Sequence, residues 1–389
     1  MKIPFVDLRA AYTELQQELD AAYFRVAASG WYLLGPETEA FEAEFAHYCG
    51  VRNCVTVGSG LDALSLILRA LEIGPGDEVI VPSHTFLATW LAVSSVGARP
   101  VPVEPDAVTY NIDPARIQDA ITSRTKAIIP VHLYGQPADM QVIGRIAAEH
   151  GIHLIEDAAQ AHGARYRGRR VGSLSIAAAF SFYPTKNLAA SGDGGAVLTD
   201  DRALAGRVRL LRNYGTRDRS HFEVKGSNSR LDELQAALLR VRLRYLDAWN
   251  ARRAAVAERY IKSLAGLPGL VLPQNPEWSE PVWHVFAIRH PCRMQIQEHL
   301  TSASIGTLVH YPEPIHLSGA YADGRWPSGT LPLAEQMAAE VLSLPMRPQL
   351  GDLEVSLVIQ EVTTAVRQCT RTNGAASARE SNVPRMPVG

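Results

Sequence analysis

The sequence predicts an α/β protein: a mostly parallel sheet flanked by helices, followed by a smaller C-terminal α+β domain. Three observations predict it. Short β-branched and apolar runs alternate with helical stretches between residues 54 and 212; the runs are nearly continuously apolar; and five prolines stand at their ends or in the following turns. Near-continuous apolar strands separated by helices belong to a sheet covered on both faces, which favours parallel pairing.

The elements follow in order. Amphipathic helices are expected over residues 10–28 and 37–49. Strands are expected over 54–57, 78–81, 99–103, 127–131, 153–155, 179–182 and 196–199, with helices over 61–71, 87–96, 114–120, 140–150 and 202–212. Pro82, Pro105, Pro130, Pro137 and Pro184 fall where no ladder hydrogen bond is lost. From residue 231 to 264 the chain holds no Gly or Pro and keeps apolar residues three and four apart, which predicts one long connecting helix ended by Pro268 and Pro273. Strands over 282–288 and 307–311 and helices over 293–303 and 335–342 complete the smaller lobe. The resulting division is a large domain over 1–240, a small one over 241–370, and a disordered tail over 371–389, which is small, polar and punctuated by Pro.

Composition narrows the function. A formal charge of -2 over 389 residues supplies no basic field for nucleic acid or an acidic membrane, so an anionic ligand needs a local site. No stretch of about 18 apolar residues runs without a charge, and the N-terminus lacks an apolar core of signal-peptide length, so a cytoplasmic protein is expected. Cys49, Cys54, Cys292 and Cys369 form no CxxC pair, and are expected to be reduced and buried; no metal site is expected.

Four places beyond strand ends carry chemistry, at the edge where open parallel sheets bind ligands. Gly58-Ser59-Gly60 opens a helix and offers backbone N–H groups to a phosphate, though such turns are also common as plain packing. Its spacing is not GxGxxG, which speaks against a nicotinamide dehydrogenase. Asp157 ends a strand in HLIEDAAQAHG; it could cap the next helix, or stay ionised against a pyridinium nitrogen, with Gln160 one turn on to reach a ring substituent. Lys186 follows an apolar strand in FSFYPTKN and precedes a glycine run; a desolvated lysine becomes a nucleophile toward aldehydes, whereas the bland alternative is a surface lysine. Ser181 and Tyr183 alternate before it and could place a hydroxyl on a phosphate. Phe86, in VPSHTF, either fills the core or lies over a cofactor ring. Together a phosphate cradle, a stacking ring, a carboxylate and a lysine are the parts of a pyridoxal phosphate site.

The motifs EDAAQAHGA, FSFYPTKN, GDGGAV, NSRLDELQAA and VPSHTF resemble those of the DegT/DnrJ/EryC1/StrS family of sugar aminotransferases, of fold type I, from about Val6 to about Ile359. SHTFLATWLAVSSVGARPVPVEP, residues 225–253, PVWHVFAIR and HYPEPIHLSGAYA are most similar to the 3-aminotransferases acting on dTDP-3-keto-deoxyhexoses. The resemblance implies that Lys186 holds pyridoxal 5'-phosphate as a Schiff base and shuttles the proton. It implies Asp157 on the pyridinium nitrogen, Gln160 on the ring's 3-oxygen, Phe86 stacked on the ring, and Ser181 with Gly60, Leu61 and Asp62 on the phosphate. Asn228 would reach the phosphate from a neighbouring subunit, making a homodimer with shared sites. Tyr183, His310, Tyr311 and His316 would face the sugar nucleotide. The implied reaction moves an amino group from L-glutamate, through the pyridoxamine form, to C3 of the sugar. Alternatives are a 4-keto sugar nucleotide or keto-inositol and, in another class, a cofactor-binding regulator without turnover; the dehydratase branch, which has histidine for the lysine, is disfavoured by Lys186. Two departures stand out: Leu61-Asp62 where many relatives have Thr-Ala, and Ala189 where relatives usually have Gly.

Overall fold

The computed structural model describes residues 1–380, with side chains through Cys369. The chain opens with α1 (Leu8–Glu14) and α2 (Gln16–Ser29), where one helix was expected. They part at Leu15, which is buried and whose N–H turns back three residues to the Tyr12 carbonyl at 3.1 Å. Next come α3 (Pro36–Cys49), β1 (Asn53–Val57), α4 (Gly60–Ala70), β2 (Glu78–Pro82), α5 (Ala88–Ser95), β3 (Arg99–Val103), α6 (Pro114–Ala120), β4 (Thr125–Ile128), α7 (Met140–Glu149) and β5 (His153–Asp157). A small ribbon, β6 (Arg165–Tyr166) and β7 (Arg169–Arg170), precedes β8 (Ala177–Ser181), β9 (Gly195–Thr199) and α8 (Arg202–Leu211).

The seven-stranded sheet has the order β1-β9-β8-β5-β4-β2-β3. Only β9 runs against its neighbours, pairing antiparallel with both β1 and β8. Pairs such as Ile155 with Ala177 and Asp157 with Ala179 fix the register, so β5 and β8 end side by side. Every residue of β2 and β9 is buried, as the apolar runs require. Helices cover both faces: Leu64, Ile67 and Trp90 pack on one, and Phe41, Phe45 and Leu239 on the other.

Beyond the sheet lie α9 (Glu233–Leu243), α10 (Leu246–Leu264), β10 (Ser279–Glu280), β11 (Phe286–Arg289), α11 (Arg293–Ser302), α12 (Pro332–Glu340), β12 (Val341–Leu344) and α13 (Asp352–Glu380). The single helix expected over 231–264 is two. At Arg244 and Tyr245 the backbone bonds shift to the carbonyls three residues back, Val241 and Arg242, while both side chains turn onto Glu18 of α2. The helix expected over 335–342 stops at Glu340, because Val341–Leu344 pairs antiparallel with Phe286–Arg289. Residues 307–311 form no strand, only a bridge from Leu308 to Ser343. Residues 371–380, the first part of the expected disordered tail, continue α13; the rest of that expected tail, residues 381–389, lies outside the described residues.

A second core gathers Tyr260, Phe286, Ile296, Leu342 and Val358 from α10, β11, α11, β12 and α13. Ile3, at the start of the chain, belongs to it and bridges to Ile305. Within the larger half, α9 is fastened to α3: buried Glu233 accepts from the amides of Gly35, Glu37 and Thr38 at 2.8–3.0 Å, satisfying that helix's N-terminus.

Candidate active site

Four segments meet at the edge where β1, β2, β5 and β8 end. The turn after β1 is capped by Ser59, whose hydroxyl accepts from the Asp62 amide at 3.1 Å. As first-turn amides of α4, those of Gly60 and Leu61 have no helical acceptor and stay open to an anion. The Asp62 amide is committed to Ser59, and its carboxylate accepts from Ser229 at 2.7 Å, so of the three turn residues expected on the phosphate Gly60 and Leu61 keep free amides among the described residues. The same Ser229 hydroxyl accepts from the Gly58 amide at 2.9 Å.

Ser181, at the end of β8, sits directly across the turn: a Cβ on Gly60 would lie 2.7 Å from the Ser181 Cβ. The turn and strand approach so closely because both crossing positions lack side chains. A Cβ on Gly195 would fall 2.3 Å from the Ser59 carbonyl oxygen. Gly195→Ala is therefore expected to push the turn off the sheet and to cost about 1–3 kcal/mol, seen as a lower midpoint in urea unfolding.

Asp157, 5% exposed at the end of β5, accepts from the Thr89 hydroxyl at 2.9 Å and the Ala159 amide at 3.2 Å. Burial raises its pKa, against the opposing pull of those donors and of Lys186. No cation lies within ion-pair distance of it among the described residues. It does not cap a helix: it is a buried carboxylate short of a positive partner. Lys186 lies in the loop after β8, where burial pushes its amine down to about 8 and the charge of Asp157 partly restores it. Its ammonium has no hydrogen bond or ion pair among the described residues.

Gln160 is held at both ends, accepting from the Tyr134 amide at 2.6 Å and donating to the Tyr311 hydroxyl at 2.8 Å. Tyr134 donates to the His310 carbonyl, so His84 Nε2, 2.9 Å away, donates to Tyr134. Phe86 is 56% exposed, with its ring 5.5 Å from that of Tyr311. Tyr183 is also exposed, its carbonyl accepting from the Lys186 amide at 2.9 Å. His310 bonds Ser343 through Nδ1 at 2.7 Å, and burial together with Lys186 drives its pKa down to about 4.

Two expected residues stand apart. His316 is buried with Nε2 on Glu335 at 3.1 Å, and no hydrogen bond among the described residues joins it to the other site residues. Asn228 is exposed on this chain, although its neighbour Ser229 is buried against the Gly58 turn. Sequence reasoning missed Thr89, His84, Tyr134 and Ser229. Thr89 lies three residues after Phe86, a helical spacing that would have placed it under the ring; Tyr134, at φ 60, had no such signal.

A buried carboxylate lacking a cation, a desolvated lysine beside it, and a glycine turn with open amides define a site for an anionic aldehyde cofactor with a basic ring. Residues 13–363 match the DegT/DnrJ/EryC1/StrS aminotransferase family, and the chain belongs to that family. It is 61% identical over 351 residues to the erythromycin biosynthesis sensory transduction protein EryC1 of Saccharopolyspora erythraea, covering 90% of this chain and 96% of that one. It is 58% identical over 361 residues to the dTDP-3-amino-3,4,6-trideoxy-alpha-D-glucose transaminase of Streptomyces venezuelae, covering 93% and 95%. The crystal structure of S. venezuelae DesV in complex with a ketimine intermediate superposes with a TM-score of 0.93 at 57% identity, over 94% of this chain and 98% of that one.

Proposed function

We propose that this chain is a pyridoxal-phosphate-dependent aminotransferase that moves the amino group of L-glutamate to C3 of a dTDP-3-keto-deoxyhexose. The observation that carries it is the placing of a desolvated Lys186 and a buried Asp157 beyond adjacent strand ends, set in a chain 58% identical to a dTDP-3-amino-sugar transaminase. Lys186 would hold the cofactor covalently, Asp157 would sit against its ring nitrogen, and Gln160 would donate to the ring through its second amide hydrogen. Gly60, Leu61 and Ser181 would receive the phosphate. Bound there, pyridoxal phosphate supplies the electron sink that makes an α-proton acidic.

The chain's own residues do the rest. The Lys186 amine, once free, accepts the proton from the amine-bearing carbon of the donor and returns it when the keto carbon is aminated. Tyr183, His310 and Tyr311 line the approach and would orient the sugar; Tyr134 and Gln160 fix the last two. The His316 ring is committed through Nε2 to Glu335. Phe86, exposed here, would be covered by the ring on one face.

Asn228 is exposed on its own chain, and the large side chains of Trp31, Tyr32 and Tyr214 are exposed too, which supports a homodimer in which Asn228 reaches the partner's phosphate. No helix among the described residues is long and apolar enough to cross a membrane. That and the biosynthetic relatives support a cytoplasmic enzyme.

Two relatives carry regulatory names, EryC1 and the pleiotropic regulatory protein of Geobacillus stearothermophilus, the latter 43% identical. A regulator without turnover would not need a lysine held near neutrality beside a buried carboxylate, and both are present here. The deciding experiment supplies the enzyme with L-glutamate and either a dTDP-3-keto or a dTDP-4-keto deoxyhexose and follows the products by mass spectrometry. Amination of the 3-keto sugar is expected; exclusive amination of the 4-keto sugar reassigns the position, and amination of neither sinks the reading.

The pH dependence follows from Lys186. Its protonated form is not a nucleophile, so the rate at which apo-protein takes up pyridoxal phosphate is expected to rise with pH and level off above about 8. Stopped-flow absorbance at several pH values measures this; a profile flat from pH 6 to 9 would contradict it.

A further inference from the structure

A cavity of about 430 Å³ opens behind Lys186, between the loop after β8, the N-terminal segment and α10. Its lining is cationic: Lys186, Arg242, Arg253 and Arg347 face one carboxylate, Asp7, which already caps α1 through the Ala10 amide. Arg347 is paired, 2.6 Å from Glu354. Among the described residues Arg242 meets neutral acceptors alone, the Ala189 carbonyl at 2.5 Å and the Ser191 hydroxyl at 3.1 Å.

Arg253 is the anomaly. It is 7% exposed, yet no carboxylate lies within ion-pair reach of it among the described residues. Its Nη1 donates to the Met346 carbonyl at 2.6 Å, and its buried Nε has no partner among the described residues. Burial alone pushes its pKa down to about 10. Guanidinium groups buried without an anion are costly, and a carboxylate matches the fork of two parallel N–H groups that this one leaves empty. The position is tied to the chemistry: Asn250, one turn earlier on α10, accepts from Asn187, the residue after Lys186, at 2.9 Å.

We propose that this cavity is a carboxylate-binding site, in which the Nε–Nη2 edge of Arg253, with Arg242 nearby, receives the side-chain carboxylate of the dicarboxylic amino donor beside Lys186. The identity of the donor rests on the aminotransferase reading; the carboxylate site does not.

Glutarate, a dicarboxylate with no amino group to transfer, is the probe. Calorimetric titration of the holoenzyme is expected to show saturable glutarate binding, weakened about 10- to 100-fold by Arg253→Gln. Arg253→Lys keeps the charge at this buried position and loses only the fork, so an intermediate loss is expected there. In turnover, the KM for glutamate rises by a similar factor while the KM for the keto sugar holds. The proposal is overturned by a wild-type protein that does not bind glutarate, which needs no variant to fold. It is equally overturned by unchanged affinity in the variants, or by inorganic pyrophosphate being the anion whose affinity follows Arg253. Glutarate binding through Arg253 without amino transfer from glutamate would retire the aminotransferase reading and leave the site standing.

Discussion

Lys186→Ala abolishes turnover, with kcat falling by at least about 10⁴-fold, because one side chain supplies both the covalent anchor and the proton carrier. No neighbour can replace it. His310 and His284 stand nearby in the electrostatic sense, but burial and the lysine's own charge hold both far below neutrality, too weak as bases to share the task. The lesion is chemical and not structural, since the ammonium makes no hydrogen bond or ion pair in the fold among the described residues. The variant should still take up pyridoxal phosphate through the Gly60–Leu61 amides and Ser181, but release it on dialysis and lack the visible band of lysine-bound cofactor. Absorbance before and after dialysis, with a single-turnover assay, checks both halves. Residual activity within a hundredfold of wild type would remove Lys186 from the centre of the mechanism.

Asp157→Asn should separate catalysis from stability in opposite directions. Asparagine preserves the shape: its amide oxygen can accept from the Ala159 amide, and its amide nitrogen can donate to the Thr89 hydroxyl where a carboxylate oxygen accepted before. What disappears is the negative charge opposite the cofactor's ring nitrogen. Truncating one partner of a buried charge pair costs about 2–5 kcal/mol, so kcat/KM is expected to fall roughly 30- to 3000-fold. The apo-protein should behave otherwise. Burial raises the pKa of Asp157 above its unfolded value, so the folded apo-protein binds that proton more tightly than the unfolded chain does. That contribution is full below the unfolded pKa and is lost as pH rises through the folded one. Asparagine has no charge to bury, so the variant's apo-form is expected to be as stable as wild type at pH 7 or more so, read from urea midpoints. A loss of stability matching the loss of activity would make Asp157 a structural residue.

Much of this was legible in the sequence for one reason: the chemistry lies on strand ends, and strands buried on both faces announce themselves by unbroken apolar runs. All seven strands of the main sheet fall within a few residues of their expected positions. What stayed illegible depends on partners distant in sequence. The break at Arg244–Tyr245 has no Gly or Pro to mark it; its cause is Glu18, more than two hundred residues earlier. Val341–Leu344 reads as the end of a helix until Phe286–Arg289 is there to pair with it. Within the site, Lys186, Asp157 and Gln160 could be placed from local pattern, whereas the commitment of Asp62 to Ser229 and Ser59 could not, since Ser229 arrives from beyond α8. His316 illustrates the opposite failing: two residues in one short segment need not share a destination, and Glu335 holds it elsewhere.

The Ser229 hydroxyl joins things that are usually discussed separately. It receives the Gly58 amide and gives its proton to Asp62, so the turn that would grip the phosphate in one subunit is bolted to the loop whose preceding residue, Asn228, would extend into the other. In the proposed dimer, then, filling the pocket and holding the partner are two grips on the same bolt. Reciprocity makes the traffic run both ways: whatever cofactor adds to the cohesion of the pair, the pair adds to the retention of cofactor. A subunit alone would be a leaky vessel, and dilution would empty it before heat unfolds it.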